Sequence, residues 1–231
     1  MTAFRDLREA VLQGNLALPA LGLVKLTSGN ASQIDRNRGV FGIKPSGVSY
    51  ETMTAQDIVI VDLDGEVVEG ERGPSTDTPT HLALYRRFEE IGAVVHTHST
   101  WATVWAQAQR EIPLYGTTHA DLCAEPIPVT RALSEVEISE GYERNTGAVL
   151  IEAIGSVGPA RLPCALVRGH APFTWGPTVA KAVEVSVTLE EVARMAFLTA
   201  TLEPSAPSLD AALRRKHYER RHGPRAYYGQ A

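Results

Sequence analysis

The segment Val94-Val95-His96-Thr97-His98 sets two imidazoles two residues apart at the end of an apolar run. Residues i and i+2 of a strand share a face, so His96 and His98 can converge on one ion. The same spacing also occurs as a pair of hydrogen-bonded histidines closing a strand, so a metal site needs a third donor. Catalytic zinc typically takes three protein ligands and leaves a position for substrate. His170 offers that donor, because Ala165-Leu166-Val167-Arg168-Gly169-His170 again delivers a histidine from a short apolar run. His81 falls within an expected helix and reads as a structural or surface residue. His119 could support a ligand from behind, and His217 and His222 belong to a basic tail.

Three separated turns carry the chemistry of an anion cradle: Ser28-Gly29-Asn30, Lys44-Pro45-Ser46-Gly47 and Pro74-Ser75-Thr76-Asp77. Hydroxyls and exposed backbone N–H groups can wrap a phosphate where glycine permits close approach. Each turn taken alone is more often an ordinary turn. Neither the phosphate-binding P-loop nor the dinucleotide fingerprint is present, which disfavours ATP and NAD as cofactors.

Elements must position these groups, and the pattern supplies them. Phe4, Leu7, Val11, Leu12 and Leu16 recur at helical spacing, so a helix is expected over 4–18, stopped near Pro19. Val40–Ile43, Asp57–Asp62, Gly92–His96, Ala148–Glu152 and Ala165–Arg168 read as strands. Thr78–Glu90, Ser99–Gln107 and Ser134–Arg144 read as helices opened by capping hydroxyls, and Pro177–Leu202 as a longer helix with proline in its first turn. A Pro/Ser linker over 203–208 leads to a basic helix over 209–222 and an aromatic end, Ala226-Tyr227-Tyr228-Gly229. No repeat or composition shift divides the 231 residues, so one layered α/β domain is expected.

Composition narrows the partners. Apolar residues at 44% and charged residues at 21% suit a folded chain with a sizeable core. A net charge of −5 gives no general attraction to nucleic acid or anionic lipid, so a phosphate ligand must be held locally, as a small metabolite is. Cys123 and Cys164 are too few for a disulfide scaffold. With no signal peptide or membrane-length apolar run in the sequence, a cytoplasmic setting is expected.

Taken in order, these segments resemble the class II aldolase family, which includes fuculose-phosphate aldolases and ribulose-phosphate 4-epimerases. The most specific stretches are Leu26-Thr27-Ser28-Gly29-Asn30, Ile43-Lys44-Pro45-Ser46-Gly47, Ser75-Thr76-Asp77-Thr78-Pro79-Thr80-His81 and Val95-His96-Thr97-His98-Ser99. The likeness to the epimerase branch continues through Gly116-Thr117-Thr118-His119-Ala120-Asp121, Lys216-His217-Tyr218, His222-Gly223 and Ala226-Tyr227-Tyr228-Gly229-Gln230. The resemblance implies a three-layer α/β/α domain spanning 1–231 with a central, predominantly antiparallel sheet. It implies zinc, or another divalent ion such as manganese, on His96, His98 and His170, with Asp77 nearby as a further ligand. Gly29, Asn30, Ser46, Gly47, Ser75 and Thr76 would form the phosphate and substrate cradle, with Lys44 close to the substrate. Asp121 and Tyr228 would be the acid/base pair, and the tail 203–231 would reach the active site of a neighbouring subunit in a homotetramer.

Two positions bear on which member of the family it is. Aldolases typically carry Glu where this chain has Asp77, and a carboxylate shortened by one methylene cannot reach the same atom without a backbone move. Thr76 stands where the epimerases are expected to have Ser, and keeps the hydroxyl. The reaction implied is the 4-epimerisation of L-ribulose 5-phosphate to D-xylulose 5-phosphate by cleavage and re-formation of the C3–C4 bond. A class II sugar-phosphate aldolase and a non-catalytic domain like the adducin head are the competing readings.

Overall fold

The computed structural model describes residues 4–228; Gly229 and Gln230 of the closing aromatic stretch lie outside them. Helix α1 (Arg5–Ala20) opens the chain and is followed by strands β1 (Asn30–Asp35), β2 (Val40–Ile43), β3 (Val59–Asp62) and β4 (Val67–Glu69). Helix α2 (Thr78–Arg87), strand β5 (Ala93–His96) and helices α3 (Thr100–Gln107), α4 (Thr117–Leu122) and α5 (Glu135–Ile154) come next. Strands β6 (Cys164–Leu166) and β7 (Pro172–Gly176) precede helices α6 (Val179–Leu202) and α7 (Ala211–His222). Among the described residues, no helix is long and apolar enough to cross a membrane.

The seven strands form one sheet in the order β4-β3-β2-β1-β5-β7-β6, every neighbouring pair antiparallel. Side chains alternate across it, as the two-residue period of a strand requires. Ala31, Val40, Ile60, Ala93 and Val95 pack with α1 and α6 on one face. Phe41, Ile43, Val59, Val61, Val94, Phe173 and Trp175 pack with α2 and α5 on the other. Helices α3 and α4 close a further apolar cluster against α6 and β6. The three-layer arrangement implied by the family resemblance is therefore present.

Local chemistry explains several boundaries. Ser134 and Glu137 form a capping box at the start of α5, with Ser134 N donating to Glu137 Oε2 (2.8 Å) and Glu137 N to Ser134 Oγ (3.2 Å). Thr178 Oγ1 accepts from Lys181 N (3.3 Å) to cap α6, so Pro177 stands one residue before the cap rather than in the first turn. Ser99 makes no such bond; the carboxylate of Glu190 in α6 reaches across instead and accepts from Trp101 N (2.8 Å) and Ala102 N (3.0 Å). Pro19 lies within the last turn of α1, where its missing N–H leaves a single carbonyl without an intrahelical donor.

The expected strand over Ala148–Glu152 is instead the second half of α5, and the helix expected to stop at Arg144 continues to Ile154. Its apolar run lies on a buried helical face, where Leu150 and Ile154 meet the sheet and α2. A four-residue apolar run does not separate strand from buried helix by periodicity. Strands β1, β4 and β7 and helix α4 have no counterpart in the sequence reading. Polar Asn30, Ser32 and Gln33 interrupt the alternation expected of β1, because the side chains of Asn30 and Ser32 make specific hydrogen bonds inside the fold.

Gly147 sets the close approach of α5 to α2: a Cβ there would meet Ala83 Cβ at 2.6 Å and Thr80 O at 3.3 Å. Gly147→Leu should therefore lower stability by about 1–3 kcal/mol, the usual cost of overpacking, despite a better helix propensity. Urea unfolding checks this, and a midpoint equal to the parent's would show that the two helices can separate freely.

Candidate active site

The sheet brings one end of β5 against the start of β1 and the start of β7. Asn30 lies directly across from His96 in the β1–β5 ladder, and Phe173 lies across from His96 on β7. His170, in the turn before β7, and His98, just past the end of β5, complete a triad whose ligand atoms all lie within 4.8 Å of one another. His98 and His170 present their Nε2 atoms to each other at 3.1 Å. Donors bonded at about 2.0–2.1 Å around a tetrahedral zinc ion are about 3.3 Å apart, so this spacing fits.

Protonation fits as well. Burial pushes the pKa of His96 down to about 3, and it also lowers that of His170, assisted by the neighbouring His98. Both rings are then neutral near pH 7, as a metal ligand must be. His96 Nδ1 is 3.0 Å from the carbonyl oxygen of Pro172, which can only accept, so Nδ1 carries the ring proton and Nε2 keeps its lone pair for an ion. The ring is stacked on Phe173 with centroids 4.2 Å apart, which fixes its plane.

Asp77, which precedes α2 without its side chain capping the helix, stands beside the triad but outside the cluster of three ligand atoms. Burial raises its pKa; His96, His81 and the amide of Asn30 outweigh that and hold it below the usual carboxylate range. Asn30 Nδ2 donates to Asp77 Oδ2 (2.6 Å) and to Ser75 Oγ (3.1 Å), while Asn30 Oδ1 is buried with no partner among the described residues. A buried amide oxygen left this way calls for a donor from outside the chain, such as a hydroxyl.

The three turns expected to cradle an anion do meet. Ser75 N donates to Lys44 O (3.0 Å), Ser46 N donates to Gly73 O (3.0 Å), and Pro45 and Pro74 form an isolated bridge. Tyr50 Oη shares its proton between the carbonyls of Ser28 (2.9 Å) and Gly29 (2.8 Å), anchoring the third turn. Gly29 has φ +76°, and a Cβ there would strike His96 O at 2.9 Å, so the turn lies flush against the metal-bearing strand. Ser46, Gly47 and Thr76 are exposed and Ser75 is buried.

Lys44 is 2% exposed, and its Nζ makes only long contacts to Thr27 O (3.3 Å) and Pro45 O (3.4 Å), with the Tyr50 ring 4.8 Å away. Desolvation lowers its pKa. No carboxylate pairs with it among the described residues, which leaves a buried cation beside a polar cradle.

Asp121 and Tyr228 are not brought to the triad within one chain. Asp121, in α4, takes a two-point ion pair from Arg220 of α7 (Nε–Oδ1 3.0 Å, Nη2–Oδ2 2.6 Å), with His217 Nδ1 at 3.2 Å. His222 Nε2 donates to Asp121 O (2.8 Å). Tyr228 lies beside the same guanidinium, its ring centroid 4.2 Å from Arg220 Cζ and its N–H on Arg220 O (3.0 Å). This cluster adjoins a cavity lined by Trp175, Gly176 and Pro177, at the opposite end of β7 from the triad. His119 does not support a triad histidine in its own chain, since its Nε2 bonds Glu125 O (3.0 Å). His81 proves fully buried, its Nδ1 2.7 Å from Ser32 Oγ, which in turn lies 2.6 Å from Tyr85 Oη. Sequence reasoning missed Tyr50, Tyr142 and Arg220, and nothing in their local spacing distinguishes them from other surface or core residues.

Residues 9–197 match the family described as Class II Aldolase and Adducin N-terminal domain. A protein named L-ribulose-5-phosphate 4-epimerase UlaF, from Salmonella paratyphi B (strain ATCC BAA-1250 / SPB7), is 54% identical over 226 residues, covering 98% of this chain and 99% of its own. The protein of the same name from Salmonella typhi matches to the same extent. Among solved structures, an L-fuculose 1-phosphate aldolase superposes with a TM-score of 0.82 at 23% identity over 93% of this chain and 95% of its own, a likeness of fold. The L-fuculose-1-phosphate aldolase of Thermus thermophilus gives a TM-score of 0.68 at 27% identity, covering 88% of this chain and 98% of its own.

His98→Ala and His170→Ala should each lose bound divalent metal while the fold persists, because both side chains lie at the surface of the site and leave no core cavity. Elemental analysis and circular dichroism check this; full metal occupancy in either variant would remove that histidine from the ligand set.

Proposed function

The chain belongs to the family of class II aldolase and adducin N-terminal domains, and from that membership we propose that it is an isomerase, a zinc-dependent L-ribulose-5-phosphate 4-epimerase. The observation that carries the reading is the junction at Asn30, where three polar turns around a buried lysine with no carboxylate partner adjoin three imidazoles. A phosphorylated hydroxyketone offers chemistry for each half: a phosphate for the cradle and vicinal oxygens for a Lewis acid.

The hydrogen on carbon 4 is not activated by the carbonyl at carbon 2, so inversion by direct proton removal is unfavourable. Cleaving the C3–C4 bond avoids the difficulty. A bound zinc or manganese ion supplies Lewis-acid stabilisation for the negative charge that develops on the three-carbon fragment. Lys44, Ser46, Gly47, Ser75 and Thr76, with Gly29 and Asn30, retain the phosphate of the two-carbon aldehyde, so that it rotates in place and re-forms the bond on its other face. Tethering makes this second step effectively unimolecular.

Two stereochemical outcomes require two proton-exchanging groups on opposite faces of the carbon 4 oxygen. Asp121 and Tyr228 fill these roles in the proposal, delivered by the tail of a neighbouring subunit in a homotetramer. Their joint organisation around Arg220, apart from the triad, supports a contribution made between subunits. Asp77 stays with the metal half, held ionised by Asn30 and its imidazole neighbours. A cytoplasmic setting belongs to the same reading and is supported by two buried cysteines that remain free thiols.

Purified protein incubated with L-ribulose 5-phosphate should form D-xylulose 5-phosphate; release of free glycolaldehyde phosphate without epimerised ketose would favour the aldolase reading instead. Tyr228→Phe removes only the hydroxyl and should slow epimerisation by roughly 10²- to 10⁴-fold, while metal content is unchanged. Because that variant retains the metal half, co-assembly with His98→Ala should restore activity that neither shows alone. Failure of mixed assemblies to recover would count against sites shared between subunits.

A further inference from the structure

Tyr142 is assigned no part in the reaction above, yet its Oη lies 3.2 Å from Nδ1 of His170. His170 stands in a loop rather than on a strand. Gly169 before it has φ +70°, the turn over 167–171 is held by Val167 N on Ala171 O (2.9 Å) and His170 N on Val167 O (3.0 Å), and the imidazole is only partly buried. His96, by contrast, is fixed by the Pro172 carbonyl and by stacking on Phe173.

The backbone around Tyr142 aims it at His170. Helix α5 is broken at Gly141, whose φ of 152° and ψ of 69° lie outside the helical region and in territory that favours glycine. Past this break the helix is secured to α2: Thr80 Oγ1 donates to Glu143 O (2.6 Å), and Gly147 sits against Ala83 and Thr80. Asn145 Nδ2 donates back to Glu137 O (2.7 Å), and Thr146 Oγ1 to Tyr142 O (2.8 Å), so the broken turn is itself braced. The phenol therefore stands on a fixed element packed against α2, the helix that follows Asp77.

For Nε2 of His170 to offer a lone pair to a metal, the ring proton must reside on Nδ1. An acceptor within reach of Nδ1 selects that tautomer and fixes the ring's rotation. We propose that Tyr142 is a positioning residue for the metal, its phenol oxygen accepting the Nδ1–H of His170 and turning Nε2 toward the ion. This rests on the reading of the triad as a metal centre and adds a partner outside it. A metal ligand's partner of this kind is worth about 10- to 100-fold in metal affinity.

The test is zinc affinity of Tyr142→Phe and of the parent, measured by competition with a chromogenic chelator, together with the visible spectrum of the cobalt-substituted forms. The expected result is a roughly 10- to 100-fold weaker zinc affinity and a shifted cobalt spectrum, with the unfolding midpoint of the metal-free protein unchanged. Equal affinities and superimposable spectra would overturn the inference. So would a large loss of epimerase activity at unchanged zinc affinity, because Tyr142 would then be acting on the substrate. A parent that takes up no divalent ion would sink the metal reading along with it, whereas a parent that binds zinc no more tightly than its Phe variant sinks this inference alone.

Discussion

Asn30 and His96 face each other across the antiparallel ladder of β1 and β5, and that register joins the two halves of the site. Side chains alternate with a period of two, so a slip of one residue would turn His96 into the face packed by α1 and α6 and Asn30 away from Asp77. The register is guarded from both sides. Val94 and Val95 are buried in opposite cores, and Asn15 of α1 pairs both the N–H and the C=O of Ala31, at 2.8 and 2.9 Å, where β2 does not reach. The buried amide of Asn15 thus extends the ladder by one residue beside the site, and Gly29 is required nearby because the His96 carbonyl leaves no room for a Cβ.

Around that junction the protein buries polar groups that cost free energy unless they are paired. The Asp77–Asn30–Ser75 and His81–Ser32–Tyr85 networks pair most of theirs. Beside the site, Asn30 Oδ1 and His81 Nε2 are left without partners among the described residues, and the Lys44 ammonium meets two carbonyls and a ring but no carboxylate. Buried groups held without partners are less stable than they could be, and a ligand that supplies the missing donor and anion recovers the difference as binding energy.

The C-terminal cluster follows a different logic. Arg220 links Asp121 to Tyr228 through a two-point ion pair and a cation lying over a ring, so the end of the described chain is tied to α4 rather than left as an isolated tail. The pair is largely covered, with Arg220 and Asp121 side chains 22% and 12% exposed, where removing one partner would leave the other charge poorly solvated. In the proposed epimerase this order would serve the site of a second subunit, and the chemistry would then depend on assembly.

Local sequence determined what local physics can determine. The His96–His98 spacing at a strand end, the hydroxyl cap at Ser134, and the turn character of Ser28–Asn30, Lys44–Gly47 and Pro74–Asp77 are set by residue type and short-range period, and all of them persist in the fold. Similarity to a family, read from those blocks together, carried the layered architecture as well. Tertiary structure alone decided the rest. The strand order depends on long-range pairing; Ala148–Glu152 became helix because burial against α2 suits either period; and the separation of Asp121 and Tyr228 from the triad follows from α7 docking on α4. Tyr142 reaches His170 across 28 residues through a helix break at Gly141, a contact invisible to spacing because it is made by the docking of two elements rather than by the period of either one.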